Sequence, residues 1–164
     1  MSESASCTDE VWMAEALAEA HRSASIGEVP VGAVVVLDGT IIGRGHNRRE
    51  IDGNPLAHAE MLALAEAAAR IPGWRLLGSS LYVTLEPCAM CAGALVNARV
   101  ERLVFGARDP KAGFCGSLGD LVRDRRLNHR LEVVEGVFAE ESSALLKSFF
   151  AELRRKGRER RGKA

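Results

Sequence analysis

Two short motifs constrain the fold of this chain more than any other part of it: His58-Ala59-Glu60 and Pro87-Cys88-Ala89-Met90-Cys91. One imidazole and two thiols can hold a zinc ion and leave its fourth corner open. A Glu two residues after the His can handle protons at that corner. For this to work, two segments far apart in sequence must meet in space.

The 164 residues suit a single domain with a real core, and a hydrophobic share of 47% argues against a disordered chain. No apolar run is long enough to cross a bilayer. Val31 to Leu37, the longest clear one, contains Gly32 and reads as a strand. Met1 to Cys7 has neither the basic start nor the apolar centre of a signal peptide, so a cytoplasmic protein is expected. A formal charge of zero hides a polarity: from Leu153 onward seven basic residues face one acid, Glu159. The reading is a body of residues 1–153 and a basic tail, 154–164, disordered or a frayed helix end. Such a tail fits phosphate attraction, and it equally fits a solubilising end.

Thr8 is expected to cap a first helix, with Asp9 and Glu10 in its first turn and Met13, Ala16, Leu17 and Ala20 on one face. Val31–Leu37 and Thr40–Gly45 read as antiparallel strands joined by the tight turn Asp38-Gly39. Ala57–Ile71 is rich in Ala, Leu and Glu and reads as a helix that Pro72-Gly73 ends. Leu81–Leu85 is a third strand. Pro87 stands where a helix can begin, and Cys88–Asn97 is that helix. Val100–Phe105 and Leu131–Val134 are further strands, separated by a Gly-rich basic loop, 106–119. Glu140 to about Arg155 closes the chain as an amphipathic helix. The order is helix, hairpin, then strand–helix alternation, which argues for a mixed sheet with helices on both faces. Right-handed crossovers put the helix starts at Ala57 and Pro87 at one sheet edge, and with them His58, Cys88 and Cys91.

Cys88 and Cys91 lie three apart at a helix start, so both thiols share one face, and the helix N-terminus favours thiolate. Three protein ligands with an open fourth place mark a catalytic zinc site, and Glu60 is placed to act as its base. Two other readings stay open. A C-x-x-C pair can be a redox couple, and Cys115 could close a structural Cys₃His site. Cys7 is assigned no role.

Taken together these residues resemble the zinc-dependent nucleobase deaminases, whose signature is His-x-Glu with Pro-Cys-x-x-Cys. The similarity extends from about Glu10 to Phe150. Glu28 to Val34, His46-Asn47, Thr84 to Ala94, Val104 to Asp109 and Asn128-His129-Arg130 are similar to the bacterial tRNA-specific adenosine deaminases. The resemblance implies a three-layer α/β/α cytidine deaminase-like fold with a five-stranded mixed sheet, a homodimer, and one zinc ion per chain. It implies His58, Cys88 and Cys91 as metal ligands and Glu60 as proton shuttle. Asn47, Val29, Pro30, Val31 and Ala59 fall at substrate-pocket positions. Asp109 and Lys111 lie on a loop facing a tRNA anticodon stem-loop, with Phe149 and Phe150 on the closing helix that helps frame the RNA surface. The implied reaction converts adenosine to inosine at the wobble position, 34, with ammonia released. Phe114-Cys115 departs from the family's smaller residues there.

Two rivals are kept. Guanine deaminase and other small-molecule deaminases share the zinc signature. A non-enzymatic RNA-binding or zinc-stabilised module is the second, although Glu60 and the missing fourth ligand speak against it. The aggregate of Arg123, Arg125, Arg126, Arg130 and the tail favours an RNA partner over a free base.

Overall fold

A run of β-branched residues and an Asp-Gly turn start the sheet. In the computed structural model, which describes residues 2–162, β1 (Gly32–Leu37) and β2 (Thr40–His46) pair antiparallel. Asp38 (φ 49°) and Gly39 (φ 69°) both take left-handed backbone between the paired Leu37 and Thr40. Two such residues match the twist of a two-residue hairpin. The other elements are α1 (Ser2–Ser25), α2 (Ala59–Ala69), β3 (Ser80–Leu85), α3 (Ala89–Ala98), β4 (Arg102–Ala107), β5 (Glu132–Glu135) and α4 (Ala139–Gly162).

The strand order is β2-β1-β3-β4-β5. β1 is antiparallel to both its neighbours, while β3, β4 and β5 run parallel. β2 therefore runs the same way as β3. The paths β2-α2-β3 and β3-α3-β4 are then successive crossovers that pack on one face, so both helices begin at the same edge of the sheet.

Strand alternation divides the core in two. Ala33, Val35, Leu81, Val83, Leu103 and Phe105 face α2 and α3. Val34, Val36, Tyr82 and Val104 face Met13 and Ala16 of α1, with Val137 and Phe138, which lead into α4, packed beside them. The result is the three-layer α/β/α arrangement expected from the residues. Each large aliphatic or Phe side chain buried this way contributes about 1.5–3 kcal/mol. Gly45 lets α2 lie directly on β2, since a Cβ there would stand 2.1 Å from Ala59 O. On the opposite face, Asp9 of α1 takes Arg102 of β4 bidentately (2.6 and 2.8 Å) and accepts from Tyr82 Oη–H (3.0 Å).

Four local expectations are corrected. α1 does not start at a Thr8 cap but runs back to Ser2, because no Gly or Pro interrupts Ser2–Cys7. α2 begins at Ala59, with His58 in extended backbone as its N-cap. α3 begins at Ala89 with Cys88 as N-cap, so Pro87 precedes the cap and does not occupy the first helical turn. At the other end α4 continues beyond Arg155 to Gly162, exposed along its last turns. Lys163 of the tail lies outside the described residues.

Candidate active site

The two N-caps make the site. His58 and Cys88 hold extended backbone just ahead of α2 and α3, and Cys91 follows one turn into α3. The His58 carbonyl accepts from Leu62 N–H (3.1 Å), and the Cys88 carbonyl accepts from Ala92 N–H (2.8 Å). With the backbones fixed, the side chains converge: His58 Nδ1 is 3.7 Å from Cys88 Sγ and 3.6 Å from Cys91 Sγ. One donor atom from each of the three lies within 4.8 Å of the others, an arrangement that could hold a metal ion. Imidazole and thiolate are the donors that a borderline-soft ion such as Zn²⁺ takes, so the set fits one.

Hydrogen bonds from Cys91 and His58 bring the Cys88 thiol down to about 3, which makes it the thiolate of the pair. The bond to Cys88, with burial, raises the Cys91 thiol, and the bond to Cys88 also raises His58. Glu60, 4% exposed in the first turn of α2, has its carboxyl raised by burial. Cys115 is not in the cluster. Its Sγ turns toward Pro87 O (4.0 Å), and burial raises its thiol. Among the described residues the group therefore has three members, which removes the closed Cys₃His reading.

Beside this group opens a cavity of about 630 Å³. Its wall contains His58, Glu60 and Cys88 and, of the other sequence-predicted residues, Asn47, Val29, Val31, Ala59, Asp109 and Lys111. Three predicted residues are not on it: Cys91, Pro30 and Phe149. Val31 N–H bonds to Val29 O (2.9 Å) in a γ-turn centred on Pro30, so the two valines line the cavity and Pro30 does not. On α4, Ser143, Leu146, Lys147 and Phe150 share one face at helical spacing and line the wall. Phe149 stands off that face, with its ring edge-on to Phe150 at 5.6 Å. Asn47 is held in place: its Nδ2–H donates to Glu28 Oε2 (3.4 Å) and Val29 O (3.2 Å), and its Oδ1 accepts from Arg49 N–H (3.2 Å).

The MafB19-like deaminase family matches residues 7–154. A tRNA-specific adenosine deaminase of Bacillus subtilis (strain 168) is 54% identical over 148 residues, 90% of this chain and 92% of that one. The chain belongs to the tRNA-specific adenosine deaminase family. A solved structure from a study of A-to-I editing by tRNA:A34 deaminases is 41% identical, with a TM-score of 0.79 over 82% of this chain and 98% of that one. A guanine deaminase from Nitrosomonas europaea shares the fold at 26% identity, with a TM-score of 0.74 over 87% of this chain and 84% of that one.

Within this deaminase chain, sequence reading missed part of the cavity wall. Arg49, Arg108, Pro110, Ala112 and, on the α4 face, Ser143, Leu146 and Lys147 were not singled out. The α4 residues recur at helical spacing, a signal present in the sequence whose direction only the fold defines. The cationic cluster is also thinner than its residue count suggests. Arg123 pairs with Asp120, Arg126 with Asp124 and Arg108 with Glu135. In the basic helix end, Arg155 pairs with Glu152 and Glu159. Lys111 and Lys147, both on the cavity wall, have no ion pair among the described residues.

Proposed function

We propose that this chain deaminates adenosine to inosine at the wobble position, 34, of a tRNA anticodon, by hydrolysis. The observation that carries the proposal is the convergence of His58, Cys88 and Cys91 at a cavity with Glu60 buried in its wall. The family supports adenosine in tRNA as the substrate. Of the cationic side chains on the wall, Arg49 and Arg108 pair with Glu50 and Glu135, while Lys111 and Lys147 have no ion pair among the described residues and suit a phosphate backbone entering beside the base.

His58, Cys88 and Cys91 would hold one zinc ion. When bound, the ion supplies Lewis-acid activation of water. The net change is adenosine plus water giving inosine plus ammonia: a C6–O bond forms and the C6–N6 bond breaks. Glu60 takes a proton from the attacking water and hands it to N1 of the ring, which makes C6 electrophilic. It then carries a second proton to the departing amine. A buried carboxyl with a raised pKa suits a group that must both accept and give a proton near neutral pH. Asn47, anchored by Glu28, is placed to hold the nucleoside, and Val29, Val31 and Ala59 form the apolar wall around the base. The target base must leave its stack, which costs less in an anticodon loop than in a duplex.

The working form is a homodimer in the cytoplasm. No described helix is long and apolar enough to cross a membrane. α3 carries no charged residue, and between it and α2 lies a groove of about 660 Å³ with Met61, Ala65, Ala68, Trp74 and Ala94 on its walls together with Asn97 and Arg99, so that it is mostly and not wholly apolar. A mostly apolar face of this kind supports association. The helical basic end, residues 154–162, adds a positive extension that supports RNA attraction. Lys111 and Lys147 speak for RNA over the guanine rival, since a free base brings no phosphate.

The test is to incubate the pure, metal-loaded protein with an anticodon stem-loop bearing adenosine at the wobble position, and separately with guanine. Inosine in the RNA is expected. Ammonia from guanine alone would assign the rival activity, and no product from either would assign a non-enzymatic module.

A further inference from the structure

Glu86 has no part in the proton path, yet it is a carboxylate only 2% exposed, directly before Pro87-Cys88. A buried carboxylate is costly unless its oxygens are satisfied. The partners that satisfy this one come from a single loop. Asp109 N–H donates to Oε2 (2.9 Å), and Cys115 and Ser117 N–H donate to Oε1 (3.1 and 2.9 Å). Ser117 Oγ–H also donates to Oε2. Gly113 lies flat against the same group: a Cβ there would stand 2.3 Å from Glu86 Cδ and 2.6 Å from Asp109 O. The loop is further tied to the site by Phe114 N–H on Pro87 O (2.9 Å).

The stretch gathered this way also builds one wall of the cavity through Asp109, Pro110, Lys111 and Ala112. We propose that Glu86 is a positioning residue that clasps loop 109–117 in the shape receiving the RNA strand beside the target base. This rests on the tRNA reading of the preceding section. The clasp requires an acceptor at both oxygens. A glutamine would turn one end into a donor facing backbone donors, and either the Asp109 N–H or the Cys115 and Ser117 N–H groups would lose their acceptor. The loop would then loosen while the ligands on α2 and α3 kept their places.

The experiment compares wild type, Glu86→Gln and Ser117→Ala. Amide hydrogen exchange at Asp109, Cys115 and Ser117 should quicken by about tenfold or more in Glu86→Gln, with β1 and β3 unchanged, the scale of a lost hydrogen bond to a charged group. The KM for the anticodon stem-loop should rise about tenfold, with kcat within about twofold and metal content per chain unchanged. Ser117→Ala should show the same pattern, smaller, at Asp109 and Ser117, and it decides the matter if Glu86→Gln does not fold. Unchanged exchange at these amides, or a loss confined to kcat or to metal content, would overturn the clasp. Should the wild type leave the stem-loop unmodified, the tRNA reading fails, and the exchange rates alone decide whether Glu86 holds the loop.

Discussion

His58 Nδ1 lies 3.7 Å from Cys88 Sγ, although 30 positions separate the two residues. The approach follows from topology. Each residue is the N-cap of a helix, and the two helices are successive crossovers on one face of the sheet. Neither residue caps its helix with its side chain, so both side chains are left for each other and for an ion.

Cys88→Ala removes a donor from that group and Cys115→Ala does not. Metal content, read by plasma emission on dialysed protein, should fall well below one per chain in the first. It should stay at the wild-type value in the second, because the Cys115 sulfur turns toward Pro87 O and away from the cluster. A fall in Cys115→Ala would mean that the loop supplies a ligand after all.

Glu60→Gln keeps size and shape but cannot carry a proton. It should retain its metal and lose about 10²–10⁴-fold in kcat on the stem-loop, the usual worth of a positioned acid–base group. Turnover near wild type with metal bound would remove Glu60 from the proton path.

Asp9 and Arg102 offer a stability test remote from the chemistry. Burial alone would raise the Asp9 carboxyl, but hydrogen bonds from Arg102 and Tyr82 outweigh it and hold the group below its ordinary value. A depressed folded pKa gives stability that is present above the unfolded value, near ~4, and is lost as pH falls through the folded one. Asp9→Asn should therefore cost about 1–3 kcal/mol at neutral pH. The gap between variant and wild type should narrow below pH ~4, as the wild-type carboxyl protonates. Urea denaturation across that range measures both. A gap independent of pH would mean that packing, and not charge, ties α1 to β4.

Much of this was legible in the residues because it depends on local signals. Asp38-Gly39 announces the hairpin through backbone that favours a tight turn, and His58, Cys88 and Cys91 announce the site through spacing at helix starts. What escaped depends on tertiary placement. The start of α1 is the exception, since the absence of Gly and Pro from Ser2–Cys7 is a local signal that the Thr8 cap reading passes over. Pro87 and Cys88 differ by one position in which of them meets the helix start, and only the extended backbone of Cys88 decides it. Glu86 lies inside a recognised motif, yet its role is visible only once loop 109–117 folds back over it. The arginines near Asp120 and Asp124 could be counted in advance, but not how many were already paired.

Phe149 and Phe150 separate two readings of the closing helix. The family resemblance implies both Phe149 and Phe150 near the RNA surface, whereas helical geometry puts only Phe150 on the cavity wall, with Ser143, Leu146 and Lys147. Phe150 is 40% exposed and its ring meets that of Phe149 in a T-shaped contact, so a base entering the cavity could stack on it. Stacking a base on an aromatic ring is worth about 1–3 kcal/mol, so Phe150→Ala should raise the KM for the stem-loop by about tenfold. Phe149→Ala loses only the edge contact and should raise it about twofold. Steady-state kinetics of the two variants on one RNA measures the difference. The reverse order would place the RNA along the Phe149 side of α4 and move the substrate path off the cavity described here.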